Sequence, residues 1–412
     1  MLKLYNSMSR AEEAFRPRIK GRVKIFTCGP STYRRPHVGN YRTFLYEDIL
    51  VRYLGFSGFE VQRVINFTDV EDKMLEEAVL EGRRPQDIAA EVEKQFLREA
   101  RLLGIRLPRT IAKASASVPQ AVKLIQRLLA KGLAYWHDRD VFFQPLKFKE
   151  FGKLYRLNLS RWPKKTVRFR KDTYNGQRWN LGDFVLWHGK RKGDLSVWHT
   201  AIGQGRPSWN IQDPAMITEH LGFQVDINCG GIDNIFRHHD YNIAILESLS
   251  GKSYANYYLH GAHLIVDGRP MSKSRGNIRY PEELLRKGLR AHHLRFFLVC
   301  KHYRRRLNLT PDNLAKAAAR LDALRDLVEG LTAGGGPKLA PEEARRADAQ
   351  IAAVRDDFRR HMDADLSVGK AVDAIQARLK ALRRSPGRLP AGLARRLRTE
   401  LAALDEVLGF LL

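Results

Sequence analysis

The sequence predicts an α/β fold in which a doubly wound, Rossmann-like parallel sheet carries an inserted subdomain and is followed by an all-α helical bundle. Three observations support this prediction. A strand–turn–helix–strand unit opens the chain, a stretch of basic and glycine-rich loops interrupts the α/β pattern, and helical periodicity alone follows Leu309. These changes of pattern divide the 412 residues into four regions.

The four regions are assigned from hydrophobic periodicity along the chain. The first half of the sheet is expected in residues 1–134, where strand candidates alternate with amphipathic helices. Residues 135–205 are the expected insertion, and the α/β pattern resumes as the second half of the sheet in residues 206–308. Near the start of residues 309–412, Thr310 is a good helix N-cap and is followed by proline. We therefore expect a C-terminal bundle of amphipathic helices in this region.

The opening unit contains a turn suited to phosphate binding. A β-rich apolar run ends at Phe26, and a second strand is expected at residues 61–66. Between them, apolar residues recur at helical spacing from Phe44 to Tyr53. The sequence His-Val-Gly-Asn, residues 37–40, falls at the mouth of this helix. Free amide donors and the positive end of the helix dipole converge at such a place, as they do in phosphate-handling sites.

Charge is the strongest signal in the composition. The chain has 72 lysine and arginine residues against 45 acidic ones, a formal net charge of +27. A protein this basic most often binds a polyanion, so nucleic acid is the expected partner, with a solvated basic surface as the alternative. No apolar run approaches the roughly 18 residues that span a bilayer, and we expect no signal peptide. With three widely separated cysteines, these features predict a cytoplasmic protein with reduced thiols and no membrane partner.

Two short motifs carry the chemistry when they are taken together. The first is His-Val-Gly-Asn at residues 37–40, and the second is Met-Ser-Lys-Ser at residues 271–274, in a polar loop after the last predicted strand. Each motif alone is weak evidence, because a four-residue match arises by chance. In this order and on these elements, the pair resembles the two ATP signatures of the class I aminoacyl-tRNA synthetases.

The resemblance extends to one family, the cysteinyl-tRNA synthetases, over nearly the whole chain. The matching segments, in order, are residues 4–6, 28–30, 66–73, 183–187, 205–209, 230–233, 236–239, 271–277 and 302–304. The resemblance implies the class I synthetase fold, a connective insertion and a tRNA-binding helical bundle. Family members continue with a further anticodon-reading segment, which is not recognised here.

The resemblance implies roles for the nucleotide-site residues, with ATP supplied as its Mg²⁺ complex. His37 and Asn40 would act on the phosphates, and Lys273 would close over the departing pyrophosphate. Asp233 would accept hydrogen bonds from the ribose hydroxyls. Such chemistry depends on charge neutralisation and positioning, so the departures at Asn40 and Pro270 from the family signatures are expected to leave it intact. The ATP-binding residues that the resemblance implies are Gly39, Asp233, Met271, Ser272 and Ser274.

The amino-acid pocket that the resemblance implies has changed. Family members hold zinc with two cysteines, a histidine and a glutamate, and the zinc binds the substrate thiolate. In one alternative, Cys28, Asp213 and His238 still hold zinc and leave a position for the substrate sulfur. In another, no metal binds, and Asp213 with Asn242 forms a polar or cation-accepting pocket; in the third, the pocket is inactive. The further residues that the resemblance places in the pocket are Thr68 and Trp209.

The leading hypothesis is an ATP-dependent, cysteine–tRNA ligase-like enzyme that forms an aminoacyl-adenylate and transfers it to tRNA. Its amino acid is left open, and a monomer is favoured. One alternative passes the adenylate to a small amine, as in the related cysteine ligase of mycothiol synthesis. Another is a non-catalytic tRNA-binding paralogue.

Overall fold

The described part of the structure, a computed structural model, covers residues 1–161, 168–169, 180–384 and 388–412, apart from the side chain of Lys273. The strands in these residues are β1 Lys3–Asn6, β2 Ala11–Ala14, β3 Arg22–Thr27, β4 Glu60–Phe67, β5 Thr110–Lys113, β6 Ala134–His137, β7 Asp140–Phe143, β8 Phe184–Gly189, β9 Trp198–Thr200, β10 Gly203–Pro207, β11 Val225–Gly231, β12 Ala255–Gly261, β13 Leu264–Val266, β14 Arg269–Pro270 and β15 Leu307–Leu309. The α-helices are α1 Val38–Phe56, α2 Asp72–Glu81, α3 Pro85–Leu102, α4 Val118–Ala130, α5 Trp209–His220, α6 Asp240–Ser250, α7 Pro281–Arg286, α8 Ala291–Cys300, α9 Pro311–Thr332, α10 Pro341–Met362, α11 Val368–Arg384 and α12 Ala391–Leu408.

Five parallel strands form the central sheet in the order β12–β11–β3–β4–β5. The chain first winds outward from β3 through β4 to β5, and later returns to place β11 on the other side of β3. The carboxyl ends of β3 and β11 therefore flank the point where the winding direction reverses. Open α/β sheets bind their ligands at such a point. This topology confirms the predicted doubly wound parallel sheet.

A second sheet, which is antiparallel, lies between the two halves of this winding. Its strands run in the order β6–β7–β8–β10–β9. One face packs on α4, α5 and α6 through a core that includes Phe143, Trp187 and Ile245. The inserted subdomain of the predicted fold is built on this sheet.

Helices α9 to α12 follow the last strand and pack as a bundle. On α9 the apolar stripe of Leu321, Leu324 and Val328 is buried, and Ile351 of α10 and Leu401 of α12 belong to the same core. This core continues into the central sheet, because α12 and α8 both pack on α1. Among the described helices, none combines the length and the apolar character needed to cross a lipid bilayer.

A buried ion pair lies between α1 and the central sheet. Arg63 Nη2 on β4 lies 3.3 Å from Glu47 Oε2 on α1, and both side chains are almost fully excluded from solvent. Arg63 also donates to Thr27 Oγ1 at 3.1 Å. Glu47 Oε1 and Arg63 Nη1 have no hydrogen-bond partner among the described residues. Burial raises the pKa of Glu47 to about 8, although the charge of Arg63 lowers it.

Replacing Glu47 by glutamine is expected to flatten the pH dependence of stability between pH 6 and pH 8. The pKa of Glu47 is higher in the folded chain than in the unfolded chain, so folding is favoured by the bound proton at low pH. This advantage is lost as the pH rises to about 8, at about 1.4 kcal/mol per pH unit. In urea denaturation, the native chain should lose about 2 kcal/mol more than the Glu47→Gln variant across this interval. Equal losses of unfolding free energy in the native chain and the variant would contradict the raised pKa of Glu47.

Candidate active site

A cavity of about 580 Å³ opens at the carboxyl ends of β3 and β11. The turn after β3, the start of α1, the turn after β11 and the segment that leads into α7 all contribute to its wall. Its lining residues include Cys28, Arg35, His37, Asn40, Asp233 and Tyr280. Residues that the sequence analysis assigned to both halves of the site therefore face one space.

His37 caps the N-terminus of α1, and this role sets the tautomer of its ring. Its Nδ1 accepts the backbone N–H of Asn40 at 3.3 Å, and Asn40 Oδ1 accepts the backbone N–H of His37 at 3.0 Å. Burial lowers the pKa of His37, although the charge of Asp233 opposes this. The ring is therefore neutral at pH 7. Because Nδ1 is an acceptor, Nε2 carries the proton and can donate to an anionic oxygen.

Gly39 brings the two predicted ATP motifs into contact. A Cβ at this position would lie 2.7 Å from Met271 Cε and 3.1 Å from the His37 ring, so a larger residue would displace the end of the Met271 side chain. The backbone N–H of Val38 also donates to the Arg279 carbonyl at 2.9 Å. The segment around the Met-Ser-Lys-Ser loop is thus held against the start of α1.

The Met-Ser-Lys-Ser loop is closed by its own hydrogen bonds. The N–H of Ser272 donates to Asn277 Oδ1 at 2.9 Å, and the Asn277 amide donates to the Pro270 carbonyl at 3.1 Å. The hydroxyls of Ser272 and Ser274 lie 3.2 Å apart. Lys273 begins a short 3-10 turn, and its side chain lies outside the described part of the structure. The contact of its ammonium group with pyrophosphate stays a prediction.

Two glycines at the end of β11 make room for the side chains that follow. A Cβ on Gly231 would lie 2.5 Å from Asp233 Oδ1, and one on Gly230 would lie 2.9 Å from the His239 ring. Asp233 lines the cavity on the same side as these glycines. The two glycines of the Gly-Gly-Ile-Asp sequence therefore leave room for Asp233 at the cavity wall and for His239 beside Cys28.

A backbone kink presents two histidines to Cys28. In the turn before α6, Arg237 has a φ of 72°, in the left-handed region that non-glycine residues rarely adopt. His238 Nε2 and His239 Nε2 then lie 3.6 and 3.3 Å from Cys28 Sγ. Strain of this kind persists where the surrounding structure over-determines it, and it clusters at functional sites.

Asp213 is fully hydrogen-bonded inside the protein. Its Oδ1 accepts from Asn66 Nδ2 at 2.7 Å, and its Oδ2 accepts from Asn242 Nδ2 at 3.2 Å and lies 2.9 Å from His238 Nε2. Burial lowers the pKa of His238, but the charge and hydrogen bond of Asp213 outweigh burial and raise it. A cationic substrate side chain would have to displace His238 from Asp213, which disfavours a cation-accepting pocket. The structure brings together the predicted group of Cys28, Asp213, His238 and Asn242.

His239 is a contact of Cys28 that the sequence analysis missed. Its Nδ1 lies 2.8 Å from His260 Nε2, and His260 Nδ1 lies 2.7 Å from Ser7 Oγ. Burial lowers the pKa of both rings, that of His260 to about 3. In the tautomer that carries its proton on Nδ1, His239 donates to His260 and presents the lone pair of Nε2 to Cys28. The sequence signal for this contact is Gly230, which has no side chain and so leaves room for the His239 ring. The two residues can be seen to be close only once the fold is known.

Trp209 and Thr68 border the two parts of the site. The Trp209 ring stacks on His238 with centroids 5.5 Å apart and planes 27° apart. Thr68 lies beside the cavity wall, where its carbonyl accepts the N–H of Thr32 at 3.0 Å and its backbone pairs with Ser31. Trp209 therefore adjoins the Cys28 group directly, whereas Thr68 supports the turn that follows Cys28.

The sequence matches known proteins over most of its length. Residues 14–319 match a family model described as tRNA synthetases class I (C) catalytic domain. The chain is 39% identical to a cysteine–tRNA ligase of Chlamydia muridarum, over 80% of this chain and 69% of that protein. It is 34% identical to a cysteine–tRNA ligase of Lactobacillus delbrueckii subsp. bulgaricus, over 92% of this chain and 81% of that protein. The chain belongs to the cysteine–tRNA ligase family.

Solved synthetase structures share the fold of this cysteine–tRNA ligase family member at low identity. Mycobacterium tuberculosis methionyl-tRNA synthetase bound by methionyl-adenylate aligns at a TM-score of 0.66 and 16% identity, covering 95% of this chain and 90% of that chain. The ternary complex of Agrobacterium radiobacter K84 agnB2 LeuRS, tRNA and LeuAMS aligns at a TM-score of 0.69 and 12% identity, covering 96% and 85%. These matches confirm the predicted class I synthetase fold.

The residues around Cys28 fit the zinc ion that membership of the cysteine–tRNA ligase family implies. Ligand atoms of Cys28, His238 and His239 lie within 4.8 Å of one another. Thiolate sulfur and imidazole nitrogen are ligands that zinc prefers. Asp213, which the sequence analysis proposed as a ligand, joins this group through His238. The donor types therefore suit zinc although two of the family's four ligands have changed, and binding would require His238 Nε2 to release the proton that faces Asp213.

Proposed function

We propose that this chain joins an amino acid to ATP as an aminoacyl-adenylate and then transfers the aminoacyl group to the 3′ end of a tRNA. The observation that carries the proposal is that Cys28, His37, Asn40 and Asp233 line one cavity, while Met271 of the second ATP motif lies against Gly39 of the first. Membership of the cysteine–tRNA ligase family supports it, and cysteine is the first substrate to be tested. The acceptor is taken to be tRNA because the net charge of +27 favours a polyanion.

In the first step, the amino-acid carboxylate attacks the α-phosphorus of ATP, and pyrophosphate leaves with its Mg²⁺. The Nε2–H of His37 would donate to a phosphate oxygen, and Asn40 would assist at the same helix start. Lys273 would neutralise the departing pyrophosphate, and Asp233 would accept the ribose hydroxyls. The further ATP contacts that we propose are Gly39, Met271, Ser272 and Ser274.

On the substrate side, Cys28 and its neighbours would receive the amino-acid side chain. Trp209 would cover it, and Thr68 would support the turn that carries Cys28. A zinc ion held by Cys28 and His238, with Asp213 and His239 beside them, would bind the substrate sulfur as a thiolate when the ion is present. Asn242 would act by holding Asp213 through the hydrogen bond at 3.2 Å.

In the second step, a ribose hydroxyl at the tRNA terminus attacks the aminoacyl carbonyl and AMP leaves. The helical bundle would contact the tRNA phosphates through arginines such as Arg383, Arg395 and Arg396, contacts that position RNA without reading its sequence. We also propose that the enzyme works as a cytoplasmic monomer.

The acceptor is tested by following enzyme-bound adenylate after mixing with total tRNA. We expect the adenylate to be discharged and aminoacyl-tRNA to appear, because the net positive charge of the chain attracts the polyanion. Discharge by amino sugars and not by tRNA would replace the acceptor with a small amine. Full biological activity of the Lys273→Ala variant would instead favour a non-catalytic tRNA-binding protein.

A further inference from the structure

Two helices meet outside the active site at a cluster of three metal-ligating side chains. His292 and His293 lie in the first turn of α8, and Asp322 lies on α9 of the bundle. One ligand atom from each lies within 4.8 Å of those of the other two. His293 Nε2 and Asp322 Oδ1 are 2.8 Å apart. The cluster therefore spans the junction between the last helix before β15 and the bundle.

We propose that His292, His293 and Asp322 form a second metal site, selective for zinc-class divalent ions, which ties α8 to α9. Two imidazoles and one carboxylate make a three-ligand set that zinc accepts, with the remaining position open to water. Magnesium and calcium prefer sites built from oxygen ligands, so they fit this set poorly.

The two histidines of the cluster differ in their hydrogen bonds. His293 Nδ1 accepts the backbone N–H of Arg290 at 3.4 Å, so Nε2 carries the proton that faces Asp322 and would release it on binding a metal. His292 Nε2 is buried and has no hydrogen-bond partner among the described residues. A buried nitrogen without a partner is costly, and a bound metal would satisfy it.

The charges around the cluster select the kind of ion. Arg290 and Arg325 place positive charge near His292, and this charge repels a cation that is held by electrostatic attraction alone. Ions that form strong bonds to imidazole, such as Zn²⁺ and Ni²⁺, are the ones that this site favours.

The test is competition for Zn²⁺ between a chromophoric chelator and the full-length protein, in a Cys28→Ser background that weakens the active-site donor set. We expect one equivalent to bind, and binding should weaken at least about tenfold in the His292→Ala and Asp322→Asn variants. Neither change replaces the buried His293 itself. The His199→Ala variant, which removes an exposed imidazole elsewhere, should bind as the parent does.

Thermal unfolding gives a second readout that does not depend on catalysis. Saturating Zn²⁺ should raise the Tm of the Cys28→Ser protein by about 3 °C or more, and the rise should vanish in the His292→Ala variant. Zinc affinity that is the same in the parent and both cluster variants would overturn the proposal. A parent protein that takes up no Zn²⁺ would overturn it as well.

Discussion

Replacing His37 by alanine is expected to lower the rate of ATP–pyrophosphate exchange by about 10²- to 10³-fold. In the proposed mechanism, the Nε2–H of the neutral ring is a fixed donor to a phosphate oxygen, because Nδ1 already accepts the backbone N–H of Asn40. The charge on the phosphate oxygens changes in the transition state, so the N–H of His37 stabilises the transition state more strongly than it stabilises the bound substrates. The loss should therefore appear in kcat, with a small change in the KM for ATP.

The control for this prediction separates catalysis from helix capping. His37→Asn keeps a side chain that caps helices well, whereas alanine forfeits about 1 kcal/mol of capping. We expect both variants to lose exchange activity, with His37→Asn closer to the native protein in its unfolding midpoint. Native exchange rates in either variant would show that His37 does not act on ATP.

Replacing Arg295 by methionine is expected to lower the free energy of unfolding by about 3–5 kcal/mol. This arginine on α8 is 1% exposed and pairs with Asp48 of α1 at 2.7 Å. It also donates to the carbonyls of Leu408, Leu103 and Gly104 at 2.7, 3.0 and 3.1 Å. Methionine fills similar space but leaves three carbonyls and a carboxylate without this donor. Urea denaturation measures the change.

A matched substitution on the surface controls for the loss of an arginine. Arg84 forms an exposed pair with Asp87 at 2.8 Å within the first turn of α3. The Arg84→Met variant should change the free energy of unfolding by less than about 0.5 kcal/mol. If Arg295→Met lowered the free energy of unfolding no more than Arg84→Met does, the contacts of Arg295 would not stabilise the packing of α8 against α1 and the end of the bundle.

The fold and the nucleotide side could be predicted because their signals are local. Strand β3 and helix α1 follow from apolar spacing within short windows of the sequence. The ATP motifs are runs of four residues on predictable elements. The close approach of Gly39 to Met271 shows how the fold joins the two runs.

The substrate side could not be completed from the sequence because its contacts join distant positions. From the alignment alone, Asp213 is expected to be free to bind a metal ion or to pair with a cationic substrate. Its saturation by Asn66 and Asn242 depends on how α5 packs between β4 and α6. His239 likewise gains its role from His260, which lies on a neighbouring strand. Buried polar partners of this kind are set by tertiary packing, which leaves no periodic signal.

The most direct test of the account is ATP–pyrophosphate exchange with each amino acid in turn, run on protein whose zinc content has been measured. We predict exchange with cysteine and with no other amino acid, together with a zinc content that falls by one equivalent in the Cys28→Ser variant. This result would join the ATP site at His37 to a thiol-binding site at Cys28. Exchange with no amino acid would contradict the proposed activation step, and exchange with a different amino acid on zinc-free protein would contradict the thiol-binding site.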